Sequence, residues 1–453
     1  MKKYIILNLM IIFAAFLFAG NTGSSTAFSG SFMQRVNGSE SLYWNPANIN
    51  SLQRAGVYTP RRYHEILVFP YSISLENNAL SLDLYNSFAG KLINDSHRRR
   101  ISKSIDKSLS SDFNLSIIQL GYSYKNYAFS TATNTVGRAR VDKEFVDILL
   151  YGNNLTTIND DVRRDHVFDK KHNKFGVIAY QDFSFGYGGY RLNDIYPTLF
   201  DKYPSIYTGI SMSLLAGYSH IESMDFRGLL SAHEEEGLNL DQQIELREAL
   251  KRPESGASMP SVGVLGSGFK MSLGFSSEDI EIAKGHYMSF GLAFDDMFGF
   301  IKWNKETRKT TYSVFIDDVH VADLEEDLII DEEYSEDISS YTTKLPLVTR
   351  FGVKYTFTDL VASLDYAQNH GHEKIYVNDA EISLGVEYPA YYKWLPVRAG
   401  FRLPIGDIQE AYSFGLGLHF RNFETGFGYQ STGAFFTSKA QGFSLGGYMR
   451  VRY

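Results

Sequence analysis

The sequence predicts an all-β fold, a transmembrane antiparallel β-barrel of about 14 strands with a few short helices in its loops. Three observations carry that reading. Segments of up to eleven residues in the last part of the chain alternate apolar and polar side chains with a strict period of two, whereas globular strands average about five or six residues and a tilted membrane strand needs about 9–11. Their apolar faces carry aromatic residues near the ends, in a chain with 31 Tyr and 33 Phe. An export-signal pattern opens the chain, and nothing after it approaches the roughly eighteen consecutive apolar residues of a membrane helix. The mean hydropathy of −0.21 does not oppose this, because a lipid face and a watery lumen cancel in the average.

Residues 1–27 read as a secretory signal. Lys2 and Lys3 form the positive end, Tyr4 to Phe18 is apolar apart from Asn8, and small residues follow from Ala19 to Ala27. Ser25-Thr26-Ala27 fits the small-x-small cleavage rule, with cleavage nearer Gly20 as the alternative. An uncleaved membrane anchor would need a longer apolar run. Candidate strands then cover 64–75, 79–86, 113–124, 126–134, 173–184, 206–218, 268–275, 287–295 and 311–317, with a tight hairpin at Lys125-Asn126. Segments 97–109 and 141–151 have helical character. The insertion 222–260 contains a short helix over 239–252, capped by Asn239 or Asp241 and carrying Leu240, Ile244, Leu246 and Leu250. The strand count loses its phase at 296–310, so the side of the membrane on which 222–260 lies stays open.

From residue 347 the alternation is clear. It runs through 347–357, 382–388, 397–403, 412–420, 423–430 and 443–453. In the last of these Phe443, Leu445, Gly447, Met449, Val451 and Tyr453 share one face. Ser444, Gly446, Tyr448, Arg450 and Arg452 share the other. These second faces of glycine, serine and charge suit a wet lumen; a soluble sandwich would turn them to solvent instead. Candidate lumen charges are therefore Arg350, Lys354, Asp365, Glu381, Glu387, Arg398, Arg402, Glu424, Arg450 and Arg452, on strands close enough to pair. A single-chain barrel ends at its periplasmic rim. Thr358-Asp359 and Arg421-Asn422 are then short periplasmic turns, while 368–378, 404–410 and 431–441 are external. So is the long loop 318–345, whose stretch 323–337 holds nine acidic residues.

Composition excludes several classes. Cysteine is absent, which removes a disulfide framework, a thiolate metal site, a cysteine nucleophile and a lipidated cysteine. A net charge of −8 gives no basic field to meet nucleic acid. Ser413 and His419 share a strand face but lie about 20 Å apart, too far for a dyad. Asp295 and Asp296, adjacent in a strand, should point to opposite faces. The chain therefore reads as a non-enzyme without a cofactor. His370, His372 and Glu373 bring donors together in an external loop, but without further ligands or zinc spacing, so no metal is assigned. His97-Arg98-Arg99-Arg100 reads as a surface or lipid-headgroup contact.

After the signal comes Glu40-Ser41-Leu42-Tyr43-Trp44-Asn45-Pro46-Ala47-Asn48. Pro46 biases Asn45 toward an extended backbone, the Asn45 amide can fix a turn, and Tyr43 and Trp44 can anchor it. This element resembles the Asn-Pro-Ala region of FadL-type outer-membrane barrels, with Tyr43, Trp44, Asn45, Pro46 and Ala47 forming the motif. Phe294 to Gly299 looks like a strand-end element of related bacterial barrels, and Leu345-Pro346 opens a strand with Arg350-Phe351-Gly352; the arrangement of 80–153, including Phe145 to Asn153, is nearest an uncharacterised Bacteroidetes-type branch. The resemblance implies that 28–50 plugs a barrel formed by 51–453 in the outer membrane. It also implies passive passage of small hydrophobic molecules. Outer-membrane lipid and the barrel-assembly machinery, engaging the strand that ends at Tyr453, are the expected partners. The alternative is a structural or assembly protein that holds a secretion or surface partner on 222–260 and 318–345.

Overall fold

The computed structural model describes residues 23–51, 64–151, 164–168, 173–195, 197, 204–233, 237–251, 263–319, 329–371, 375, 379–389, 394–405, 409–420 and 422–453. Most of the predicted signal, residues 1–22, lies outside them. The barrel strands are β1 (His64–Asn77), β2 (Ser108–Tyr124), β3 (Tyr127–Asp142), β4 (Lys174–Arg191), β5 (Ile206–His233), β6 (Gly266–Ser277) and β7 (His286–Trp303). They continue with β8 (Val348–Phe357), β9 (Leu360–Asn369), β10 (Ala380–Pro389), β11 (Pro396–Ile405), β12 (Ala411–His419), β13 (Phe423–Thr432) and β14 (Gly442–Arg452). Each pairs antiparallel with the next, and β14 closes on β1 from Glu65↔Arg452 to Glu76↔Gly442, making a closed barrel of 14 strands.

The alternation explains the wall. Leu364, Leu384, Leu403, Phe414, Leu416, Phe427 and Met449 are exposed on its outside, while Ser363, Ser383, Arg402, Ser413 and Arg450 are buried within. Closure leaves no strand edge unpaired in the wall, the condition for a sheet to sit in lipid. The rim that holds His64 and Tyr453 is here called proximal, the opposite one distal. Aromatic rings crowd the proximal rim: His64 stacks on Tyr124 at 4.5 Å and on Tyr453 at 5.1 Å, and Trp394 stacks on Phe420 at 6.2 Å. Such girdles mark the level of lipid headgroups.

β8 to β14 have nine to eleven residues, the length of a bilayer crossing. β5 has 28 residues, which at 3.3 Å per residue spans about 90 Å. Its distal end pairs with strand Gly237–Ala249, which pairs with Thr307–Val319, which pairs with Ile329–Asp337. These form a sheet beyond the distal rim. This corrects three expectations and answers one question the sequence left open. Residues 239–252 are largely strand, not helix, because tertiary pairing on both edges overrides their helical spacing. The loop 318–345 is largely β-structure, with 320–328 outside the described residues. Residues 311–317 belong to the distal sheet and not to the barrel. The described part of 222–260 lies on the distal side.

Four helices lie among the described residues: α1 (Gly23–Ala27), α2 (Leu82–Phe88), α3 (Asp95–Ser104) and α4 (Lys143–Tyr151). α2 replaces the strand expected at 79–86, since the Ser81 hydroxyl accepts from the Leu84 N–H at 3.2 Å and caps a helix there. α3 and α4 match the helical character of 97–109 and 141–151, although β2 already begins at Ser108. Finally, β7 is bulged between Phe294 and Phe300, with Asp296 at φ +57° and Phe298 at φ +55°. The bulge turns both Asp295 and Asp296 inward, so the expectation of opposite faces fails.

Candidate functional site

Residues 25–51 are folded inside the barrel. They form α1, the 3₁₀ turns Gly38–Tyr43 and Pro46–Asn48, and connecting turns. They touch the strands all the way round, from Thr26 on Ser72 of β1 to Glu40 on Arg450 of β14.

Glycines make the room. Cross-strand neighbours Gly188, Gly209 and Gly274 form a row under Asn45 and Pro46, and a Cβ at Gly188 or Gly209 would overlap the Pro46 carbonyl. The pair Gly385 and Gly400 lies under Phe28, where a Cβ would come within 2.9 Å and 2.5 Å of its atoms. Gly291 and Gly352 face Met33 in the same way. Large inner side chains would exclude the segment.

Polar contacts then fix its register. Asn45 caps the second turn, with Oδ1 accepting from the Ala47 N–H at 3.1 Å and Nδ2 donating to the Phe275 carbonyl at 3.0 Å. The Met33 N–H donates to Asp365 Oδ2 at 2.7 Å, and Ser363 Oγ donates to the Ser31 carbonyl at 2.9 Å. Ser413 Oγ donates to the Ala27 carbonyl at 3.0 Å. Trp44 stands edge-on to Phe32 at 5.8 Å, with the Arg350 guanidinium 4.5 Å from its ring centroid. Burial raises the Tyr43 phenol above its ordinary range, and the Asp182 carboxylate adds to the rise.

The predicted lumen charges all point inward and all have partners. Toward the proximal rim, Arg450 reaches Glu40 at 2.6 Å and Arg452 reaches Glu65 at 3.0 Å and Glu424 at 2.7 Å. Glu387 joins Arg398 at 2.7 Å to Arg35 at 2.9 Å. Burial lowers the Arg35 pKa against the opposing pull of Glu387. Lys354 pairs with Asp279 at 2.8 Å. Toward the distal rim, Arg402 pairs with Glu76 at 2.9 Å and lies 3.8 Å from Glu381, and Arg350 pairs with Asp295 at 2.8 Å. A further cluster joins Lys270 to Asp182 and Asp296, each at 2.9 Å. Sequence reasoning missed Arg35, Asn37, Glu40, Glu65, Asp182 and Lys270. The one available signal was that Arg35 and Glu40 are the only charged residues in 28–50. His370 Nε2 lies 3.1 Å from Thr349 Oγ1; His372 and Glu373 lie outside the described residues, among which no three metal-ligating side chains cluster.

Two environments flank the segment. On its proximal side is a cavity of about 590 Å³ between Phe28, Phe32, Arg35 and Asn37 above and Tyr207, Lys354, Glu387 and Arg452 around it. On its distal side the lumen between β4 and β7 is filled by an apolar cluster of Ile178, Tyr180, Leu215, Leu265, Ile301 and Trp303, joined by Ile375. Trp303 Nε1 donates to Thr343 Oγ1 at 3.0 Å within it.

A family model described as a family of unknown function (DUF5723) matches residues 58–432. No curated protein matches the chain by sequence. Similar solved structures include the toluene transporter TbuX of Ralstonia pickettii (12% identity, 96% of this chain and 97% of that chain, TM-score 0.46). They also include the toluene transporter TodX of Pseudomonas putida (10% identity, 96% and 98%, TM-score 0.44). The monoaromatic hydrocarbon channel CymD is a third (11% identity, 96% and 96%, TM-score 0.41).

Proposed function

The chain belongs to the DUF5723 family, and on that footing we propose that it is an outer-membrane barrel for passive passage of small hydrophobic molecules, with residues 25–51 as an internal plug. In this reading the proximal rim is periplasmic and an export signal is removed ahead of the plug. The supporting observation is the segment itself, which lies across the lumen between an apolar distal cluster and a polar proximal cavity. A cavity of about 590 Å³ is within the size range of small-molecule sites, about 300–1,000 Å³. The apolar distal side chains favour apolar solutes, and the charged walls beyond them do not hold such solutes, so an exit through the wall is required. Diffusion down the solute gradient is the driving mode in this reading.

The absence of cysteine permits a direct test. Ser29 Oγ and Ser413 Oγ lie 2.8 Å apart, so Ser29→Cys with Ser413→Cys should form a disulfide between plug and wall. In liposomes carrying the protein, uptake of a small apolar dye should stop on oxidation and return on reduction. Equal uptake by the locked and reduced forms would overturn the plug reading. A structural or assembly role is the second reading, favoured by strand Ile329–Asp337, which is paired on one edge only among the described residues. It predicts a stoichiometric protein partner in mild detergent and no difference in dye uptake between cells with and without the protein.

A further inference from the structure

The distal rim carries a surface that passage through the lumen does not use. α2 and α3 form a hairpin beside the distal ends of β1 and β2, held by Ala79, Leu84, Ile101 and Ile105 on its inner side. That inner side accounts for its folding. The outer side does not: Leu92, at the turn between the helices, is 94% exposed, and Tyr85 and Ile93 are exposed with it. The neighbouring β13–β14 connection continues this surface. The Leu82 N–H donates to the Ala440 carbonyl at 3.0 Å, and Phe435 and Phe436 stand exposed five and four residues earlier. Phe435 meets Tyr412 at 5.7 Å and Phe414 at 5.5 Å, both edge-on. Phe414 belongs to the outward, membrane-facing side of the wall. The rim patch is therefore continuous with the lipid-facing surface.

The same hairpin is basic. α3 holds Arg98, Arg99, Arg100 and Lys103 against one acidic residue, Asp95, which pairs with Arg98 at 3.3 Å. Arg99, Arg100 and Lys103 are exposed. This stands out in a chain of net charge −8. Cationic side chains beside exposed apolar ones suit a ligand that is both anionic and acylated. Guanidinium groups pair well with phosphate oxygens.

We propose that this rim binds a phosphorylated, acylated glycolipid of the outer leaflet, with its phosphates at Arg99, Arg100 and Lys103 and its acyl chains against Leu92, Phe435 and Phe436. The proposal rests on the reading of the distal rim as external. The probes are a diphosphorylated hexa-acyl glucosamine disaccharide, its dephosphorylated form and its deacylated form, added to the full-length mature protein in mild detergent and read by native mass spectrometry.

The diphosphorylated lipid should bind at least tenfold more tightly than the dephosphorylated one, with the difference shrinking as salt rises. Arg99→Glu with Arg100→Glu and Lys103→Glu should abolish that difference, and the milder Arg99→Gln with Arg100→Gln should reduce it severalfold. Phe435→Ser with Phe436→Ser should weaken the acylated lipid and leave the deacylated headgroup unchanged. Equal binding of the two acylated lipids, or no effect of the glutamine pair in a barrel that still shifts on gels when heated, would overturn the proposal. Orientation is read separately: Leu92→Cys should react with an impermeant maleimide on intact cells. Labelling only after the outer membrane is opened would overturn the orientation. External labelling without phosphate-dependent binding would overturn the lipid site alone.

Discussion

Glu40→Gln is the sharpest probe of what holds the segment in the lumen. Glu40 is fully buried and Arg450 is 2% exposed, with Oε2 and Nη2 2.6 Å apart. Losing one partner of a buried ion pair costs about 3–5 kcal/mol when the other charge is stranded. Here it is not stranded, because Arg450 keeps Glu65 at 3.5 Å and Glu424 at 3.7 Å. Glutamine also keeps an oxygen acceptor. The loss is therefore nearer that of one charge-assisted hydrogen bond, about 1.5–3 kcal/mol, or roughly 10- to 150-fold in the opening equilibrium at RT of about 0.59 kcal/mol. Ser41 is fully buried on the same turn. As Ser41→Cys it is the single thiol of the chain and reacts with a maleimide only when the segment leaves. Where reclosing outruns labelling, the labelling rate reports the open fraction. Adding Glu40→Gln should accelerate labelling by that factor. A rate within twofold of the parent, in a barrel with unchanged heat-modifiability, would falsify the assignment of Glu40–Arg450 as the main tether.

Four more outcomes follow from the same geometry. Asp365→Ala should also speed Ser41→Cys labelling, about tenfold, because it strands the Met33 N–H now donated at 2.7 Å; Asp365→Asn, which keeps an acceptor, should do so by less than half as much. Gly209→Val should displace the Asn45-Pro46-Ala47 turn and raise single-channel conductance in planar bilayers, since a Cβ there overlaps the Pro46 carbonyl; parental conductance from a folded barrel would count against the seat. Trp303→Ala should destabilise the distal lumen by about 3–5 kcal/mol and lower the unfolding temperature while leaving Ser41→Cys labelling unchanged. The mass of the exported protein should retain Ser25, Thr26 and Ala27, because Ala27 is buried and its carbonyl is bonded to Ser413; cleavage after Ala27 would be the contrary result.

What the sequence made legible was set by local periodicity. β8 to β14 cross once and turn, so each is one run of alternation with its own turn. β5 crosses and continues into the distal sheet, and its length of 28 residues exceeds any window in which one period is sought. Strand Gly237–Ala249 carries Leu240, Ile244 and Leu246 at spacings that serve a helix or a strand alike, and only its pairing with β5 and Thr307–Val319 decides. The bulge in β7 is a backbone event at Asp296 and Phe298, neither of which is a glycine that would announce it. Glu40 and Arg450 are partners across 410 residues, a separation no local pattern reaches. The charged residues were legible as inward-facing; their partners were not.

The glycines were legible in place but not in meaning. By sequence an inner face of glycine and serine suits water, but in the fold several of those glycines are seats for backbone. The distinction has an energetic consequence for the proposed plug. A segment seated by apolar packing would expose that surface on leaving, at about 25 cal/mol per Å². This one is seated in both ways: Phe28, Phe32, Met33, Val36, Leu42 and Ile49 are buried, and its hydrogen bonds and ion pairs, which water replaces, each contribute only about 0.5–3 kcal/mol net. Buried polar atoms without a hydrogen-bond partner on both sides of the seat, such as Ser31 Oγ, Gln34 Nε2 and Ser383 Oγ, lower the cost of release further, because they regain water when the segment moves. The distal cluster around Trp303 is also apolar, but it joins barrel strands and distal connections to one another and not to the segment. Release of the segment therefore exposes apolar surface as well as breaking polar contacts, and the polar contacts set its register; the Ser41→Cys and Trp303→Ala experiments read the segment and the distal cluster independently.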